Sequence, residues 1–362
     1  MTIAADLAGT DAPNLGTLRE ARRRSRNLLL FFLAAGLVAA SFAALAIGPV
    51  AIGWSEVALA LWPAGSDTSQ AIQVVQQIRL PRIILGLCVG AVLGVCGAAL
   101  QGLFRNPLVD PAVIGVSSGG VLGAALVIVS GKAIAPQFLI AAGAFAIPFG
   151  AFAGSMIAIL AVYALSQRAA ASTIAPLILA GIAINAISEG SLGYLIFVAF
   201  DEQLRELIFW RLGSLGRTSW ESLIPAALLM AGSALLLLRL SPALNAFLLG
   251  EREAAHLGIN VRLMKRRVIV LSALGVGAAV AVSGLIGFVG LAAPHIVRLF
   301  AGADHRIVLP GSALLGAVLV LCADLIARTV AAPAELPIGV LTSALGGPFF
   351  LWLLARYRRE LF

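Results

Sequence analysis

Few residues in this chain have types and spacings that could do chemistry, and most of them sit at the edges of long apolar runs. Gly115-Val116-Ser117-Ser118-Gly119 has the G-x-S-x-G spacing of a serine nucleophile on a sharp turn. That chemistry needs a strand–turn–helix setting and a base. His256, His295 and His305 all fall at or beyond one edge of the apolar runs, which leaves Ser117 without a partner. Arg79 and Arg82 flank Pro81 where one run begins, and Arg328 closes another. Three guanidinium groups at one edge could receive carboxylates from a partner by bidentate bonding. The alternative is snorkelling anchors, with Asp324 and Arg328, four apart on one helix face, paired internally. Asn185, Ser188 and Glu189 lie together within another run, where a charge is costly unless paired or wet. They either face a watery path or are hydrogen-bonded within the structure. No G-x-x-x-x-G-K-[ST] occurs, so no phosphate cradle is encoded. Energy for any transport must come from a partner or an ion gradient.

The elements that position these residues follow from composition. Of the 362 residues, 60% are hydrophobic and 12% charged, and the mean hydropathy is +1.02. Soluble domains are about 45–50% apolar and about 25% charged. About 20 apolar residues cross a bilayer core as helix, and lipid admits only helices or closed barrels. The apolar runs are long and show no period-two alternation, which selects helices. They cover residues 28–47, 80–104, 112–129, 138–165, 174–200, 223–238, 268–284, 288–300, 307–330 and 337–354. This predicts an all-α membrane protein of ten spans, the eighth being short, with long runs tilted or broken near Pro148, Gly181 or Gly190.

Charge sets the orientation. With the N-terminus inside, only Arg79, Arg82, Lys132, Arg205, Arg211, Arg217 and Arg328 of the 25 Lys and Arg fall outside. The positive-inside rule therefore places both termini in the cytoplasm. The net charge of +8 is topological, because its basic clusters lack the aromatic partners of a nucleic-acid surface. Residues 1–26 form a basic cytoplasmic arm ahead of a single membrane domain, 27–362. Ala44-Leu45-Ala46 resembles a signal-peptide cleavage site, but the run before it exceeds a usual h-region, and it is read as the first span. Cys88, Cys96 and Cys322 lie within apolar runs without any C-x-x-C, and are read as small core residues rather than metal ligands.

Gly86, Gly90, Gly94 and Gly97 share a helix face, and Gly284, Gly287 and Gly290 form a second set. Both suit close helix packing in lipid. Val89-Gly90-Ala91, Val95 and Gly97 recur as Val276-Gly277-Ala278, Val282 and Gly284, in spans of opposite direction, as inverted repeats would. The longest cytoplasmic connection holds Gly250, Glu251, Arg252, Glu253, Ala254, Ala255, His256, Leu257 and Gly258, a short helix of mixed charge between glycines.

Taken together, Arg79-Leu80-Pro81-Arg82, Leu100-Gln101-Gly102-Leu103-Phe104-Arg105-Asn106-Pro107-Leu108, Gly115-Val116-Ser117-Ser118-Gly119, Leu249 to Gly258, Gly284-Leu285-Ile286-Gly287-Phe288-Val289-Gly290 with Pro294-His295, and Ala334-Glu335-Leu336-Pro337-Ile338-Gly339 resemble the FecCD-type permeases. The resemblance covers about residues 30–356. It implies the permease subunit of an ABC importer for iron-siderophores, haem or cobalamin in the bacterial inner membrane. Such a subunit is no enzyme and binds no cofactor or metal. Its implied partners are a second copy, two ATP-binding cassette ATPase subunits, a periplasmic binding protein and membrane lipid, with no nucleic acid. Arg79, Arg82 and Arg328 match the arginines that receive glutamates from the binding protein, and Gly250–Gly258 matches the coupling helix seated in the ATPase. The fifth and tenth spans would line the path, which makes Asn185, Ser188 and Glu189 its candidates. The segment from Asp201 to Gly216 resembles the haem branch most, so haem is the expected cargo, with siderophore or cobalamin as alternatives. An ion-coupled secondary transporter, suggested by Glu189 and Asp324, is the more distant one.

Overall fold

A computed structural model describes residues 15–48, 50, 52–61, 70–167, 175–332 and 334–361. In chain order the helices are α1 (Leu15–Ala46), α2 (Trp54–Leu61), α3 (Gln70–Gln73), α4 (Leu80–Phe104), α5 (Val116–Ile134), α6 (Pro136–Ala142), α7 (Ala146–Gln167) and α8 (Ala175–Val198). There follow α9 (Asp201–Arg211), α10 (Trp220–Arg239), α11 (Ser241–Leu249), α12 (Glu251–His256), α13 (Val261–Ser283), α14 (Val289–Ala301), α15 (His305–Val330) and α16 (Ile338–Leu361). A π turn, Val74–Arg79, makes α3 and α4 continuous. Eight helices are long and apolar enough to cross a membrane, and Val289–Ala301 and Ile338–Leu353 are shorter apolar helices. Together they occupy the ten apolar runs of the sequence.

Local chemistry sets the ends. Asn260 and Asp304 accept backbone N–H bonds at the starts of α13 and α15, which satisfies donors that a helix start leaves open. Gly143, at φ +50°, closes α6 and separates it from α7. The expected breaks lie elsewhere than the sequence suggests. α7 runs through Pro148 and α8 runs through both Gly181 and Gly190. Gly181 is instead a packing position, since a Cβ there would stand 2.3 Å from the Val113 carbonyl oxygen. From Leu15 onward the basic arm is one helix with the first span. Residues 1–14 lie outside the described part.

The first glycine set behaves as its spacing predicts. Cβ atoms at Gly90 and Gly94 would meet the carbonyl oxygens of Gly316 and Ser312 of α15 at 2.3 and 2.1 Å. Gly97 lies equally tight against Gly290 of α14. Backbones this close exclude any side chain and maximise packing where apolar attraction between helices is weak. The second set is not a helix face: Gly284 and Gly287 belong to the link between α13 and α14, and only Gly290 is helical. Gly90 packs on α15, whereas its sequence counterpart Gly277 packs on Ser155 and Met156 of α7. The second span thus leans on the ninth as the seventh leans on the fourth, the exchange that inverted halves require. Of the cysteines, Cys96 is buried, Cys88 is half-buried and Cys322 is exposed, so the last is not a core residue.

The arginine cluster and the glycine-bounded helix

The three arginines singled out by the sequence converge, and they are buried. Arg79, Arg82 and Arg328 retain 3%, 6% and 2% of their exposure. Arg82 sits in the first turn of α4 and donates from Nε to both Asp324 oxygens (2.9 and 3.1 Å) and from Nη1 to Glu335 Oε1 (2.7 Å). Arg328 Nε lies 3.7 Å from Asp324 Oδ2, four residues back on α15. Asp324 is therefore held between guanidinium groups of α4 and α15, and the internal pair expected of Asp324 and Arg328 is present.

The other donors close the end of α1. Arg328 Nη2 donates to the Ala44 carbonyl (2.7 Å), and Arg79 donates to the carbonyls of Leu45, Ala46 and Val50. The last carbonyls of a helix have no intrahelical partner, and cations are favoured there. The residues that resembled a cleavage site are thus the acceptors that fix the first span to the second and ninth. In this arrangement none of the three arginines presents a free fork. The most accessible partner in the cluster is Glu335, whose side chain is 39% exposed.

Glu189 pairs with Arg211 at 3.3 Å, both side chains about half-exposed. Sequence reasoning missed Arg211, because a helix end 22 residues away gives no periodic signal. Asn185 accepts from the Ser118 hydroxyl and donates to the Ala112 carbonyl (3.4 Å). Ser188 is buried on the same helix. The Asn185 amide stands against Ser118, while His305 is bonded to Asn245 and His295 packs edge-on against Phe349. That geometry does not build a nucleophile.

At the other end of α4 and α15, α12 lies between Gly250 (φ +127°) and Gly258 (φ +83°), conformations that favour glycine. Ala254 is fully buried and Glu251 binds Lys265 of α13 (2.8 Å), while Arg252, Glu253, Ala255, His256 and Leu257 face outward. Nearby, Asp304 accepts from Arg26 (3.2 Å), Asn245 Nδ2 (2.8 Å) and the Arg306 N–H (3.0 Å). Partial burial pushes the Asp304 carboxyl up, but the bonds from Asn245 and Arg306 and the charges of Arg26 and Arg306 outweigh it and hold it below the usual carboxylate value.

This is the arrangement of a multi-pass transport subunit, and comparison with known proteins agrees. Residues 36–356 match the FecCD transport family, and the chain belongs to it. It is 44% identical to the hemin transport system permease protein HmuU of Yersinia pestis over 92% of this chain and 97% of that protein. It is 38% identical to the vitamin B12 import system permease protein BtuC of Citrobacter koseri, over 82% of this chain and 88% of that one. A solved structure, described as an inward-facing conformation of a metal-chelate type ABC transporter, superposes with a TM-score of 0.79 at 33% identity. It covers 91% of this chain and 99% of its own.

Proposed function

We propose that this chain is the permease subunit of an ATP-driven importer in the bacterial inner membrane, and that its cargo is haem. The observation that carries the haem reading is 44% identity to a hemin permease across nearly the whole of both chains. Both termini face the cytoplasm in this reading, and the energy comes from two ATPase subunits that seat on α12. Two exposed glycine-flanked leucines, Leu249 and Leu257, support that seat.

A second copy of the chain completes the path. The uncovered apolar face of α8, with Leu179, Ile182, Ile187 and Phe197, supports this partner. Asn185, Ser188 and Glu189 lie along that helix as path residues. A periplasmic binding protein docks at the arginine cluster by exchange: its carboxylates replace Glu335 on Arg82, and reach Arg79 and Arg328 as the end of α1 moves.

The test is reconstitution with the cognate ATPase and binding protein. Haem uptake should require hydrolysable ATP, and excess cobalamin should not compete. Uptake driven by a proton gradient with nonhydrolysable nucleotide would overturn the reading in favour of an ion-coupled transporter. ATP-dependent uptake of cobalamin in place of haem would keep the importer and overturn the cargo.

A further inference from the structure

A closely packed helix pair joins the two surfaces just described. α4 and α15 run antiparallel, in contact from end to end. Gly86 lies on Leu321, Gly90 on Gly316, Gly94 on Ser312 and Gly102 on His305. Gly90 and Gly94 meet backbone and leave no room for a side chain, so the pair has little freedom to slide without separating. Its outer end is pinned by Arg82 of α4 on Asp324 of α15.

The inner end is pinned by amide chemistry. Asn245, on the helix immediately before α12, receives the backbone N–H of His305 on Oδ1 (2.8 Å) and faces His305 Nδ1 with the same oxygen (3.1 Å). Its Nδ2 donates to Asp304 Oδ1 (2.8 Å). A carboxylate can only accept, so this network fixes which way the amide points. A carboxamide oxygen likewise only accepts, which places the His305 proton on Nδ1. The ring's other edge rests on Gly102, where a Cβ would stand 2.3 Å from Nε2. Leu244 and Phe247, on either side of Asn245, are fully buried and seat α11 in the same core.

We propose that Asn245, Asp304 and His305 are positioning residues for transport: they form the joint that fixes α11–α12 to the α4–α15 pair. The pair then acts as a strut that carries movement of α12 across the membrane to the arginine cluster. The inference rests on the proposed role of α12 as the ATPase seat. It adds which residues transmit the stroke and along which helices.

The joint predicts loss of coupling rather than loss of assembly. In the reconstituted complex, Asn245→Ala should lower the haem moved per ATP hydrolysed at least about tenfold, since three hydrogen bonds are lost, one of them to a charge. Asn245→Asp sets two carboxylates together and should do the same. Adding Asp304→Asn to Asn245→Asp restores one donor and one acceptor across the joint, and keeps a capping side chain at the start of α15. That swap should recover most of the stoichiometry, which a merely structural defect would not allow, and it remains readable if Asn245→Ala fails to assemble. Unchanged stoichiometry in the single variants, or a swap no better than Asn245→Asp alone, overturns the joint. Wild-type uptake that needs no ATPase overturns the importer reading and the joint with it.

Discussion

The two surfaces that the sequence marks for partner proteins are built in opposite ways. Where α4 begins and α15 ends, three arginines are almost fully buried, and they donate to Asp324, Glu335 and the carbonyls that end α1. At the opposite end, Leu249 and Leu257 flank α12 and face outward at 65% and 64% exposure, while buried Ala254 and the Glu251–Lys265 pair anchor the helix. Charge in a low-dielectric setting must be neutralised by whatever the chain supplies, because an unpaired buried charge costs several kcal/mol. A carboxylate partner can therefore reach the outer cluster only by displacement. Exposed leucines beside water cost little and are available without rearrangement. In the proposed roles, the first surface would act as a switch and the second as a standing seat.

The largest expected effect that tests this contrast is at Asp324. Asp324→Ala leaves Arg82 and Arg328 facing each other without their shared carboxylate. It should destabilise the protein by about 3–5 kcal/mol, read as a fall in thermal midpoint in detergent. An unchanged midpoint would mean that the cluster is solvated and its arginines are free after all. Next is Leu257→Asp, which should leave stability within about 0.5 kcal/mol and weaken ATPase association about tenfold, a loss of about 1.4 kcal/mol. Binding assays on the purified subunits would measure it, and undiminished association would remove α12 as the seat.

Glu335→Gln gives a smaller effect of the opposite kind. A partly exposed ion pair contributes about 0–1 kcal/mol, so stability should barely change. Binding-protein affinity should rise by about threefold as Arg82 loses its competitor. Lower affinity would show that Glu335 aids docking instead of opposing it. The smallest effect is expected of Glu189→Gln, whose half-exposed pair with Arg211 should contribute within about 0.5 kcal/mol. A change in uptake without a change in stability would place Glu189 on the path. A large loss of stability would make it a structural carboxylate.

Much of the fold was legible because membrane helices announce themselves. Leu80–Phe104 is both an apolar run and a helix with the same bounds, since neither lipid nor neighbouring spans tolerate an open backbone inside it. Gly86, Gly90 and Gly94 could be read as a contact face from their four-residue spacing. Gly102 could not, because its partner is the ring of His305 and nothing near it in sequence signals that ring. The position of the break within the fourth run also escaped. Pro148 lies in the first turn of α7, where a missing N–H costs nothing, whereas Gly143 takes up the positive φ that ends α6.

The sequence by itself determined the ten apolar helical segments, the short glycine-bounded α12 and the residue types at both ends of the spans, since these depend on composition and local periodicity. Only the tertiary structure decided what those residues do to one another. Arg82 meets Asp324 across 242 residues, Arg328 meets Ala44 across 284 and His305 meets Asn245 across 60. Such pairs exist because burial forces every charge and amide to find a partner, and packing alone chooses which one.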